Sequence, residues 1–226
     1  MNLSSVCRLI SSIIYLYSFS NTYSQNEPQA VRFSDSLNDV TIKSTSAITI
    51  DSDLTLEEAI NGQQIPESTK ENLEIVTVQY YGFDNSLHQG QILVHKEIVK
   101  DITEIFNFIR DSRFPIEKVV PICSYKWSDE ESMKDNNTSS FNYRFISGSR
   151  IHSMHASGLA IDINPLQNPY IKNHIVLPEG AVYDSTKPGT LKASSQLVKE
   201  FKKRGWSWGG DWKNLNDYQH FEKKLK

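Results

Sequence analysis

Apolar positions recur along this chain with two different periods. From Glu74 to Tyr80 (Glu-Ile-Val-Thr-Val-Gln-Tyr) β-branched and aromatic residues dominate, which predicts a strand. Gly82–Asn85 then reads as a turn and Gln91–His95 as a second strand. Between Lys96 and Arg110 the period changes. Ile98, Ile102, Ile105, Phe106 and Ile109 fall at helical spacing and predict an amphipathic helix, closed by Phe114-Pro115. Lys118–Cys123 returns as a strand, and Ser194–Arg204 predicts a second helix with Leu197, Val198 and Phe201 inward and Gly205 ending it. Strands and helices do not alternate regularly. The expected class is therefore α+β, a small mostly antiparallel sheet with flanking helices.

The remaining stretches are polar. Ser128–Asn142 is too long for a hairpin turn and is expected to form a binding loop. Residues 25–70 are rich in Ser, Thr, Asn, Asp and Gln without sustained periodicity and predict an arm or linker, with one short helix over Leu54–Ile60. The first 24 residues have the layout of a secretory signal: Arg8 as the only charge, an apolar stretch from Leu9 to Leu16, and small residues near Ser24. That stretch is shorter than the roughly 20 residues a spanning helix needs. The division is a signal peptide (1–24), a polar arm (25–70) and a folded domain (71–226), in an exported, periplasmic or extracellular, monomeric protein without stable membrane insertion.

Charge and cysteine content narrow the chemistry. The formal net charge is −3 and becomes −4 once Arg8 is removed with the signal, which argues against a nucleic-acid partner. Only Cys123 would remain, too few for a disulfide framework, and its apolar neighbours Val119, Val120 and Ile122 place it in a buried strand rather than at a nucleophilic centre.

Two segments carry candidate metal chemistry. In Leu159–Asn164 the alternation is strict, so Asp162 projects from the face opposite Leu159, Ile161 and Ile163. The small residues at Ala156, Ser157, Gly158 and Ala160 permit a bend that brings His155 back beside Asp162. Near the C-terminus, Asp217-Tyr218-Gln219-His220 offers a further carboxylate and imidazole. Two histidines and an aspartate are the N and O donors that zinc prefers. Just before them, Gly205-Trp206-Ser207-Trp208-Gly209-Gly210-Asp211-Trp212 reads as a groove wall or as a small core under a loop. His88, His95, His152 and His174 have no motif partner and are expected to be non-ligands.

Together, Ser153-Met154-His155, Asp162 in its Gly-Leu-Ala-Ile-Asp-Ile-Asn context, and Asp217-Tyr218-Gln219-His220 resemble the M15 peptidases, the D-alanyl-D-alanine carboxypeptidase and L-alanyl-D-glutamate endopeptidase group. The Trp-Gly-Gly-Asp-Trp run and Asp217, where the carboxypeptidases have Glu, make the chain more similar to the endopeptidase and endolysin branch. The resemblance covers about Leu73–Leu225 and implies the small α+β fold shared with the hedgehog signalling domain. It implies zinc held by His155, Asp162 and His220, with Asp217 as the general base. It places Ser153 and a cation at the substrate. Arg144 fills that second role as a catalytic group, or Lys126 as a binding one, because Tyr125-Lys126 stands where the family often has Tyr-Arg. Trp208 is expected on the substrate groove. The implied reaction is zinc-dependent hydrolysis of peptide bonds in the peptidoglycan stem; the alternative is a non-catalytic, zinc-stabilised wall-binding module on the same fold. Asn136-Asn137-Thr138 fits the N-glycosylation pattern but in a bacterial chain marks only a polar loop.

Overall fold

In the computed structural model, residues 47–225 are described; the expected signal peptide lies outside them. The first half comprises β1 (Thr49–Ile50), α1 (Leu56–Ala59), α2 (Glu67–Lys70), β2 (Leu73–Tyr81), β3 (Leu87–His95), α3 (Val99–Asp111), β4 (Lys118–Val119), α4 (Asp129–Lys134) and β5 (Asn137–Thr138). The second comprises β6 (Ala160–Asp162), β7 (Tyr170–Lys172), β8 (Ile175–Leu177), α5 (Gln196–Lys203), β9 (Ser207–Trp208), β10 (Asn216–Asp217) and β11 (His220–Glu222). Helices and short sheets are mixed, as α+β requires. The strands form several small sheets rather than one, ordered β1-β3-β2, β10-β7-β8, β6-β11-β9 and β4-β5. Most pairings are antiparallel, whereas β1–β3 and β4–β5 are parallel.

The elements with clear periodicity form where expected. The β2–β3 hairpin buries Val76, Val78 and Tyr80 together with Ile92 and Val94, Val76 standing opposite Ile92. Against it lies α3, whose Ile102, Ile105, Phe106 and Ile109 are all buried, and α5 adds Leu197, Val198 and Phe201 to the same core. At α3 the chain enters through a 3-10 turn, Lys96–Ile98, so the α-helix itself starts at Val99.

Two polar stretches behave differently from their composition. Residues 49–70, expected as the end of an arm, pack onto the hairpin: β1 pairs with β3, and Ala59 and Ile65 join Leu73, Leu93 and Phe141 in a second apolar cluster. Polar contacts fasten this segment. Gln91 Oε1 accepts from Ser52 Oγ at 2.8 Å, Trp127 Nε1 donates to the Asn61 carbonyl at 2.9 Å, and Tyr80 donates to Asp51. The helix expected over Leu54–Ile60 is the single turn α1, closed by a capping box between Thr55 and Glu58.

The expected binding loop Ser128–Asn142 is also a structural element. After α4 it runs inward, and Asn137, Thr138, Ser140, Phe141 and Asn142 are buried. Their polar groups are satisfied locally: Asn137 Nδ2 donates to the Val120 carbonyl at 2.8 Å and its Oδ1 accepts from Val120 N at 2.9 Å. The glycosylation pattern at Asn136 is thus enclosed. Cys123 is half-buried in a 3-10 turn, Ile122–Tyr125, not in a strand, because β4 ends at Val119 before Pro121; burial pushes its thiol pKa up, away from nucleophilic use.

Candidate metal centre

His155, Asp162 and His220 come together through one bend and one strand pair. Ser153 caps a 3-10 turn over Met154–Ser157, its Oγ accepting from His155 N at 3.3 Å. Gly158 ends that turn at φ 66°, and a Cβ there would meet His95 N at 2.6 Å, so only glycine fits this reversal. The chain then enters β6, which pairs antiparallel with β11 in a register that sets His220 directly opposite Asp162. All three side chains are buried beneath the surface.

The donor atoms converge. His220 Nδ1 is 3.0 Å from Asp162 Oδ1, His155 Nε2 is 3.2 Å from Asp162 Oδ2, and the two ring nitrogens are 3.2 Å apart. Each imidazole is oriented from behind. His155 Nδ1 donates to the Ser140 carbonyl at 2.5 Å, and His220 Nε2 donates to Glu222 Oε2 at 3.3 Å. Carbonyls and carboxylates only accept, so these outer nitrogens carry the hydrogens and the inner ones present lone pairs. Three acceptors facing one another are stable only around positive charge, a proton or a cation. Ligands about 2.0–2.1 Å from a tetrahedral zinc stand about 3.3 Å apart, close to the spacing here. The residues fit a metal.

The same charges set the proton affinities of the metal-free group. Burial disfavours an ionised Asp162, but the fields and hydrogen bonds of His155 and His220 overcome it and hold the carboxyl well below its ordinary range. Burial likewise opposes charge on His220. Hydrogen bonds to Asp162 and Glu222, with the fields of Asp162 and Asp217, win and raise it to about 10. Asp217 moves the other way: burial, then the negative charge of Asp162, push it up to about 6, with His220 and Gln219 pulling it down.

Asp217 stands beside the converging three, not among them. Its Oδ1 is sealed from solvent without a hydrogen-bond partner, and a Cβ on Gly209 would come within 2.8 Å of its Cβ. Arg144 is brought close to Ser153, whose N donates to the Arg144 carbonyl at 3.1 Å. Its guanidinium, however, is paired with Asp129 (Nη2–Oδ2 2.8 Å), leaving Nε buried and unpartnered. Lys126 is exposed at the end of a 3-10 turn in a left-handed conformation, and no hydrogen bond or ion pair among the described residues ties it to the centre.

The tryptophan expected on the groove is misplaced. Trp208 is only 3% exposed; it donates from Nε1 to the Tyr218 carbonyl at 2.8 Å and packs near Phe221, so it is a core residue. Trp206 is buried beside it, hydrogen-bonded to Asp101. The tryptophan at the mouth is Trp212, 37% exposed, its ring centroid 5.4 Å from that of His220. Period-two alternation around Ser207 was the available signal, since it puts Trp206 and Trp208 on one face. The other four described histidines stay outside the group: His88 lies between Asp51 and Asp84, His95 caps a turn, His152 stacks on Phe145, and His174 is exposed.

A buried group of two histidines and one carboxylate, with a further carboxylate adjacent, could hold a metal ion. Residues 147–223, which span the whole centre, match a family model described as D-alanyl-D-alanine carboxypeptidase, and the match supports a peptidase of the M15 family. No curated protein and no solved structure matches the chain.

Proposed function

We propose that the chain is an exported zinc-dependent peptidase that hydrolyses peptide bonds in the peptidoglycan stem. The observation that carries this reading is the convergence of three acceptor atoms, each imidazole oriented from behind, beside a carboxylate with an unpartnered oxygen. His155, Asp162 and His220 would hold the ion. Zinc bound there supplies Lewis acidity, which polarises a carbonyl oxygen and makes water a nucleophile near neutral pH.

The chain's own residues do the rest. Asp217 accepts a proton at its free Oδ1 from the attacking water and returns it to the leaving amine; a carboxyl raised to about 6 holds a proton more readily than an ordinary aspartate. Gly209, by having no side chain, leaves the room that the Asp217 backbone and Cβ occupy. Ser153 presents His155 through its cap, and Trp212 forms the lip against which substrate lies. Arg144, whose carbonyl accepts from Ser153 N and whose guanidinium is fixed by Asp129, is assigned to the substrate carboxylate in preference to Lys126.

Metal analysis of the purified protein, followed by incubation with muropeptides and mass spectrometry, tests this reading. One zinc per chain with cleaved stem peptides is expected. Zinc without cleavage would make the chain a wall-binding module, and absence of zinc would overturn the proposal.

A further inference from the structure

In β11, Phe221 enters the core while His220 and Glu222 project from the other face, two residues apart. On that face Glu222 Oε2 stands 3.3 Å from His220 Nε2, the ring nitrogen turned away from Asp162. Glu222 is half-buried, with its side chain 21% exposed, and His220 is the only hydrogen-bond or ion-pair partner of its carboxylate among the described residues. The neighbouring Lys223 is committed elsewhere, to Asp101 at 2.5 Å. Lys224 acts on the Glu222 carboxylate through its field without an ion pair, and a partly desolvated carboxylate aimed at the outer nitrogen of a ligand-type histidine is placed to orient that ring.

We infer that Glu222 is a positioning residue: by accepting the Nε2 hydrogen of His220 it fixes the ring plane in which Nδ1 points at Asp162 and His155. It has a backbone counterpart in the Ser140 carbonyl, which does the same for His155 from the opposite side. The difference matters. The Ser140 carbonyl is part of the main chain, whereas the Glu222 carboxylate is a side chain that orients one ring and can be replaced without altering the backbone. The inference rests on the proposed metal reading.

The test uses the full chain and zinc alone. Zinc affinity is measured by competition with a chromophoric chelator for wild type, Glu222→Ala and Glu222→Gln, and the hydrogen bond of His220 Nε2–H is read from its proton shift by NMR of the zinc-loaded proteins. Glu222→Ala should lose about 10–100-fold in zinc affinity, as removal of an outer orienting partner does, and its His220 Nε2–H should lose the downfield shift of a proton bonded to a carboxylate. Glu222→Gln, which keeps an acceptor oxygen, should stay within a few-fold of wild type. Thermal unfolding of the zinc-free proteins should be alike, which separates orientation from folding. Glu222→Ala with wild-type affinity and Nε2–H shift, or equal losses in both variants, would overturn the inference while leaving the proposed function intact. A wild-type chain that binds no zinc would overturn both.

Discussion

Gly209 and Asp217 are packed so closely that a Cβ added to the glycine would stand 2.5 Å from the aspartate's carbonyl oxygen and 2.8 Å from its Cβ. The absence of a side chain at one position thus makes room for the other residue. Gly209→Ala must push β10 outward, because the obstructing atoms are backbone and Cβ rather than a flexible tip. Peptidase turnover should fall by about 10²-fold, the usual effect of an ångström-scale displacement of a catalytic group, and stability by about 1–3 kcal/mol for the overpacking. Zinc content should not change. A variant with wild-type turnover would mean that Asp217 does not act from this position.

Asp217 and Asp162 should separate by experiment. Asp217→Ala is expected to retain zinc and fold while losing on the order of 10²–10⁴-fold in turnover, the range for a positioned general base. Asp162→Ala should lose metal and activity together, since Asp162 is one of the three converging groups. Measured zinc stoichiometry and muropeptide hydrolysis for the pair decide the matter; the opposite pattern would exchange the two roles.

Zinc binding should release protons. With His220 raised to about 10, the metal-free chain carries a proton there at pH 7, and a cation must displace it. About one proton per chain should appear on zinc addition, with affinity rising about tenfold per pH unit through the neutral range. In the metal-free chain the sign on stability is the reverse. The raised histidine contributes fully below its unfolded value of about 6.5, and that contribution is lost as pH rises through about 10. Calorimetry in buffers of different ionisation enthalpy reads the proton count, and a count of zero would contradict the account.

The two tryptophans should respond in opposite ways. Trp208→Ala removes a buried side chain and should destabilise the chain by about 3–5 kcal/mol. Trp212→Ala should leave thermal stability nearly unchanged and raise KM for stem peptides, because it borders His220 from the solvent side. Equal stability losses in both would place Trp212 in the core instead.

What the sequence made legible follows from where the physics is local. Strands β2 and β3 and helices α3 and α5 announce themselves because burial on one face imposes a period on residues such as Ile98, Ile102, Ile105 and Ile109. The proximity of His155, Asp162 and His220 was also readable, since small residues signal a bend and the two motifs name their own ligands. The packing of residues 49–70 was not. Its apolar residues are few, and its anchors, Ser52 on Gln91 and Asn61 on Trp127, are 39 and 66 residues apart in sequence. Ser128–Asn142 misled for a related reason: buried asparagines that satisfy backbone groups have the composition of an exposed loop. Glu222 went unnoticed because a carboxylate two residues beyond a histidine means something only once β11 is known to be a strand.

The enclosed Asn136-Asn137-Thr138 segment also bears on how the protein can be made. A secretory host that attaches glycans during synthesis meets the acceptor pattern before the chain has closed, when Asn136 is still accessible. In the folded protein that asparagine is 4% exposed, and its amide is engaged with Gln167 and Leu166. A sugar added at that stage would occupy the space those contacts need, so the modified chain could not complete the wall of the centre behind Ser140. Production in a glycosylating cell line would yield misfolded material, and replacing Thr138 to avoid it would not be neutral, because its hydroxyl accepts from Asn164 N at 3.2 Å, two residues beyond Asp162.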